Sequence, residues 1–212
     1  MLLFSKILAF ISLLFFIGGI LYHYFVTKRL KFPSDFARPK GSWKVGVLYS
    51  FTLGMMPWAK ESTRRHWIAY LRGVAFHIGI FSGLFILVLS FFSEHFNETV
   101  NLIFALIVGF GALMGFVGIV MRIFERNLRE ISTLDDFISV VLVSISLTFI
   151  ALALIEPAFK MPMYFTSAIM LFYAPLGKMR HCLYFFFSRF FFGLHLGKRG
   201  IVHRFTEVSY GK

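Results

Sequence analysis

Seven histidines stand in this chain of 212 residues, and two of them lie where an imidazole needs a partner. His77 sits in RGVAFHIGIFSGLF, among apolar and small residues with no acidic neighbour. His181 sits in LGKMRHCLYFFF, near the basic end of a second apolar run. An ionisable group inside an apolar span is costly and is a functional candidate by default. Two neutral imidazoles on different helices, facing each other across an apolar slot, are the ligation that a low-spin b-type haem requires. Gly73, Gly79 and Gly83 would let a flat macrocycle approach closely, and Arg72, Arg180 and Arg189 would supply cations for its propionates. The alternative reading has each histidine bonding separately to a backbone carbonyl or hydroxyl.

The remaining histidines are weaker candidates. His23, near the inner end of the first apolar run, and His95, beside Glu94 and Glu98, read as interfacial polar residues, and His203 as a solvated residue of the polar tail. His66 and His195 could form a second pair of ligands, because eleven residues from His66 to His77 and fourteen from His181 to His195 return to within about 20° and about 40° of one helix face. Their depth argues against it: RRHWIAYLR and GLHLGKRG lie outside the apolar core. The spans hold no carboxylate, Ser or Cys constellation for hydrolytic or covalent catalysis. The single Cys182 permits neither an internal disulfide nor an iron–sulfur cluster held by this chain alone.

The elements that must position these residues follow from composition. Hydrophobic residues make up 58% of the chain against 15% charged, and 30 residues are Phe, which is lipid-facing chemistry. Apolar runs near 2–26, 73–92, 100–121, 137–155 and 163–192 are each long enough for a hydrocarbon core of about 30 Å. They predict an all-α integral membrane protein, one five-helix bundle over residues 1–212, with a kink in the over-long last run at Pro175. The first run lacks a small-residue cleavage site and reads as a retained helix. The net charge of +12 does not point to nucleic acid, because the basic residues lie between apolar spans. Twenty of the 22 Lys and Arg residues fall on one face, and only Lys6 and Lys160 on the other. By the positive-inside rule the N-terminus is outside and the C-terminus cytoplasmic, which favours a cytoplasmic membrane. The loop 27–71, with Pro33, Pro39, Pro57, Trp43, Trp58 and Trp67 among its cations, is expected to lie along the cytoplasmic interface against anionic lipid or to dock a partner. The tail 193–212 is expected to be cytoplasmic by the same rule.

Three stretches, RRHW with FHIGI, PLGKMRH, and RFFFGLHLGKRG, carry a likeness. The chain resembles the cytochrome b (gamma) subunit of respiratory nitrate reductases and the related membrane cytochromes of heterodisulfide reductases and sulfate-reducer redox complexes. The resemblance implies a five-helix subunit that exchanges electrons with a quinone or menaquinone and passes them through haem b to a cytoplasmic iron–sulfur or flavin subunit. By the same resemblance it would be an electron-transfer subunit of a quinone-linked oxidoreductase rather than an enzyme on its own. By motif, the family's ligands match His77 and His181. Where two-haem members carry two further histidines this chain has Leu87 and Met163, so one haem is expected and the place of the quinone site is open. Glu156, before Pro157, is either an acceptor of a quinol proton or a helix cap. The basic loops would complement an acidic partner, so high salt should loosen the complex. A haem-free membrane anchor of a multi-protein complex is the rival reading.

Overall fold

The computed structural model describes residues 1–30, 36–59, 61–93 and 97–202, and these are helix and turn with no strand among them. Pro33, Glu94, His95 and His203 lie outside the described residues. The helices in chain order are α1 (Leu2–Arg29), α2 (Trp43–Phe51), α3 (Glu61–Arg65), α4 (Trp67–Phe92), α5 (Glu98–Phe124), α6 (Arg126–Ile131), α7 (Leu134–Ile155), α8 (Lys160–Tyr173) and α9 (His181–Lys198). Four of them, α1, α4, α5 and α7, are long and apolar enough to cross a membrane. Their outward faces carry Phe10, Phe15, Phe81, Phe85, Phe110 and Phe116 in the open. Apolar helices that expose their aromatics belong in a hydrocarbon solvent, and the chain is a multi-pass membrane protein.

Two expectations change. The run 163–192 is not one kinked helix but two: α8 stops at Tyr173 and His181 opens α9. Pro175 has no N–H with which to extend the ladder, and the amides of Leu176 and Gly177 both turn back to the Tyr173 carbonyl at 3.0 Å. At 14 residues, α8 is about 21 Å long, short of a crossing by itself. The segment 27–71 is not a plain loop either, since it folds into α2, α3 and two short 3-10 turns, and α4 already begins at Trp67.

The chain divides into two compact units, with the divisions falling inside α1, inside α4 and just before α9. The first comprises Met1–Tyr22 with Leu71–Arg180. Its helices approach closely where small residues face one another: a Cβ on Gly79 of α4 would lie 2.6 Å from the Gly111 Cα of α5, and one on Gly83 would lie 2.6 Å from Leu147 Cδ2 of α7. Between these contacts Leu87, Val108, Leu147, Ile150 and Leu171 fill the core. α1 joins it through Ala9, with Phe15 stacked on Phe172 at 4.6 Å between ring centres. α8 runs back along α7: Tyr173 donates to the Asp135 carboxylate, and Lys178, just past α8, pairs with Asp136 at 2.5 Å, while Tyr164 donates to the Ser90 carbonyl of α4 at 3.0 Å. The chain from Lys160 to Lys178 thus returns to the N-terminal end of α7.

The second unit comprises His23–Tyr70 with the described part of His181–Lys212. Its centre is the pair α2 and α9, joined backbone to backbone. A Cβ on Gly193 would lie 2.6 Å from Val47 Cα, and one on Gly46 would meet the Gly193 carbonyl and lie 2.5 Å from Gly197 Cα. The Ser50 hydroxyl donates across the seam to the Arg189 carbonyl at 2.9 Å. The Lys198 carbonyl at the end of α9 accepts from Lys40 and Gly41, and Gly200, at φ +68°, takes the left-handed conformation after the helix.

Candidate functional site

His77 belongs to the first unit, nearly three turns into α4. The helix places it four residues after Gly73, so its ring reaches back over the preceding turn, and Nδ1 lies 2.7 Å from the Gly73 carbonyl oxygen. A carbonyl only accepts, so the hydrogen of this bond is on Nδ1, and in the neutral form of the ring Nε2 would carry the lone pair. That is the tautomer, held by a backbone carbonyl, in which histidine ligates a metal. The ring stands edge-on to Phe76 at 6.1 Å and tilted to Phe81 at 6.5 Å. His77 is exposed, on the stripe of α4 that also presents Val74, Ile78, Phe81 and Phe85. A Cβ on Gly73 would meet nothing within 4 Å. Of the two readings made from the sequence, the bond to a backbone carbonyl is the one made here, through Nδ1.

The other glycines near His77 do something else. Gly79 and Gly83, expected to admit a macrocycle, are buried in the α4–α5 and α4–α7 crossings, and of the three only Gly73 stands open. Arg72 points toward α5, its Nη1 donating to the Met114 carbonyl at 3.2 Å in space left by Gly118. Its Nε is buried without a hydrogen-bond partner. Arg180 is exposed in the turn before α9.

His181, Arg189, His66 and His195 belong to the second unit. His181 is the first residue of α9 and exposed, rather than part of a spanning helix as expected, because the chain breaks after Pro175. Arg189 lies over the Phe185 ring at 5.5 Å, a cation–π contact. His195 is on the same helix as His181 and packs on Phe191 with ring centres 4.3 Å apart. His66 precedes α4, exposed, its carbonyl accepting from Tyr70. His23 Nδ1 lies 3.2 Å from the Tyr184 hydroxyl. In the first unit, Glu156 accepts from the Ala158 amide at 3.3 Å and so caps the turn at Pro157–Phe159. Leu87 and Met163 are core residues, 0% and 3% exposed.

Sequence reading missed the α2–α9 seam, although Ser42, Gly46 and Ser50 recur every fourth residue opposite Gly193 and Gly197, a spacing that puts small residues on one helix face. Among the described residues no group of three or more His, Cys, Asp or Glu is arranged to hold a metal ion; haem needs only two axial ligands. No family model matches the sequence, no curated protein matches it, and no solved structure matches the fold.

Proposed function

We propose that the chain is the haem b subunit of a membrane redox complex, exchanging electrons between a quinone or menaquinone in the bilayer and an iron–sulfur or flavin subunit on the cytoplasmic side. The observation that carries this reading is the 2.7 Å contact of His77 Nδ1 with the Gly73 carbonyl, a backbone bond of the kind that orients a metal-ligating imidazole, on the exposed apolar face of α4. His181, in the other motif that resembles the family's, is the second axial ligand. The haem would supply reversible one-electron transfer at its iron. The chain's part is to hold the imidazoles neutral, to keep water away with apolar surface, and to place cations near the basic end, where Arg180 and Arg189 are candidates for the propionates. Arg72 is a weaker candidate, because α5 already engages it.

The fifth crossing in this reading is α8 with the turn that follows it, since Tyr173 and Lys178 at its far end pair with Asp135 and Asp136 in the first turn of α7. An odd number of crossings puts the N-terminus outside, the C-terminus in the cytoplasm, and the basic segments against an acidic partner at the cytoplasmic membrane.

The test is a dithionite-reduced minus oxidised spectrum of the detergent-purified chain with a pyridine haemochrome count. One haem b per polypeptide, lost on replacing either His77 or His181 by Ala while the helical circular dichroism persists, is the expected result. Two haems per chain would bring in His66 and His195. No haem in a chain that still joins its complex would leave a membrane anchor and end the cytochrome reading.

A further inference from the structure

The seam between α4 and α5 in the first unit is apolar along most of its length and ends on two arginines. Gly79 faces Gly111, a Cβ on Gly115 would lie 2.7 Å from Phe76 Cε2, and one on Gly118 would meet Arg72 Nη1 and lie 3.0 Å from its Cζ. Positions 111, 115, 118 and 122 are three or four apart and share one face of α5, so Arg122 stands one turn beyond the glycine that seats Arg72. Each arginine is half-buried. Partly desolvated like charges at such range repel, and the exposed carboxylate of Glu125 acts on Arg72 less strongly than Arg122 does.

Their hydrogen bonds are incomplete as well. A guanidinium has five N–H donors. Arg72 donates Nη1 to the Met114 carbonyl at 3.2 Å, and its Nε is buried without a partner. Arg122 donates Nη1 to the Ser132 hydroxyl at 2.8 Å. A phosphate supplies what both lack, because its oxygens accept paired guanidinium donors and its charge balances two cations. Depth says what carries the phosphate. The apolar stretch of α4 starts at Gly73, directly after Arg72, and that of α5 stops at Met121, directly before Arg122. Both arginines therefore stand where the hydrocarbon core gives way to headgroups. Val74, two residues after Arg72, and Val117 and Val120, on either side of Gly118, are exposed and offer apolar surface to acyl chains.

We propose that the basic end of the α4–α5 seam holds the phosphate of one anionic phospholipid between Arg72 and Arg122, with its acyl chains along the exposed valines. Basic pockets between membrane helices hold lipid headgroups in this way. The proposal does not rest on the electron-transfer reading, in which Arg72 is only a weaker candidate for a haem propionate, and lipid binding is measured whether or not the chain carries haem.

The experiment is native mass spectrometry of the full chain, purified in detergent and titrated with palmitoyl-oleoyl phosphatidylglycerol or the matching phosphatidylcholine. The expected result is one phosphatidylglycerol retained per chain, held about tenfold or more tightly than phosphatidylcholine, as charged hydrogen bonds are worth. The double substitution Arg72→Gln with Arg122→Gln should abolish that preference while the helical circular dichroism persists. Arg72→Lys, which keeps the charge but not the planar fork, should weaken it. Arg129→Gln, which removes the same charge from an exposed position on α6, should leave it unchanged. Equal binding of the two lipids to the wild type, or an equal loss in Arg129→Gln, would overturn the proposal, since net charge alone would then attract the lipid. Inorganic phosphate displacing the lipid at equal concentration would overturn it in favour of a free anion. Haem lost from the double variant with lipid binding unchanged would overturn it in favour of the propionates.

Discussion

Glycine brings helices together in both units, but the first unit surrounds its glycines with large side chains and the second does not. Around Gly79 and Gly111, α4 and α5 are 26 and 27 residues long, and Leu87, Val108, Leu147 and Ile150 fill the space on either side of the crossing. In the second unit α2 is nine residues long, and the buried residues described there are Gly46, Ser50, Gly54, Gly193, Gly197 and Val202. An isolated helix of that length is not stable in water, so α2 depends on its seam with α9. In the first unit glycine sets the distance and side chains supply the packing. In the second, the close approach of two backbones is itself the packing.

The comparison predicts a graded response to added methyl groups. The largest effect is expected at Gly46→Leu, where the new side chain meets the Gly193 carbonyl and the Gly197 Cα. Backbone on both sides cannot move aside as a flexible side chain can, so the α2–α9 pairing should be lost outright. Hydrogen exchange of the α2 amides would rise to that of an unpaired segment while exchange in α5 and α7 stays slow; protection of α2 in the variant would mean that something other than the seam holds it. At Gly79→Ala a single methyl faces the Gly111 backbone. Overpacking of this kind costs about 1–3 kcal/mol, less the roughly 0.5–1 kcal/mol that Ala gains over Gly inside a helix. The thermal midpoint in detergent should fall by a few degrees with the fold intact. Collapse of the whole first unit would show that its side-chain core contributes less than the contrast claims.

The apolar spans were legible because length and hydropathy act locally: 20 residues without charge announce a crossing wherever they lie in the chain. The division of the last run was half legible, since Pro175 marked the place, but whether a proline kinks or ends a helix depends on the groups waiting for the chain beyond it. Here Asp135 and Asp136 receive Tyr173 and Lys178, and no local pattern announces that pairing. Gly79 and Gly83 were misassigned for the same reason. A small residue in a helix signals close approach, and the sequence does not say whether helix or cofactor approaches. Arg72 and Arg122 were visible as cations at the ends of two apolar runs, yet their place on one seam needed α4 and α5 to be packed together.

Gly73 supplies the smallest expected effect and the closest control on the others, because it is a helix glycine beside the candidate site with no neighbour to collide with. Gly73→Ala therefore removes backbone freedom without adding a clash. It should stabilise the chain by roughly 0.5–1 kcal/mol, about 2–4 °C per kcal/mol in a chain of this size. Its carbonyl still holds His77 Nδ1 in the variant, since the bond is made by the backbone. If the haem lies against this face, the methyl will shift the reduced absorption bands while the midpoint of the haem-free protein rises. A lowered midpoint in the haem-free protein would mean that Gly73 is packed after all, and the contrast between open and closed glycines along α4 would fail at the residue that bears most directly on His77.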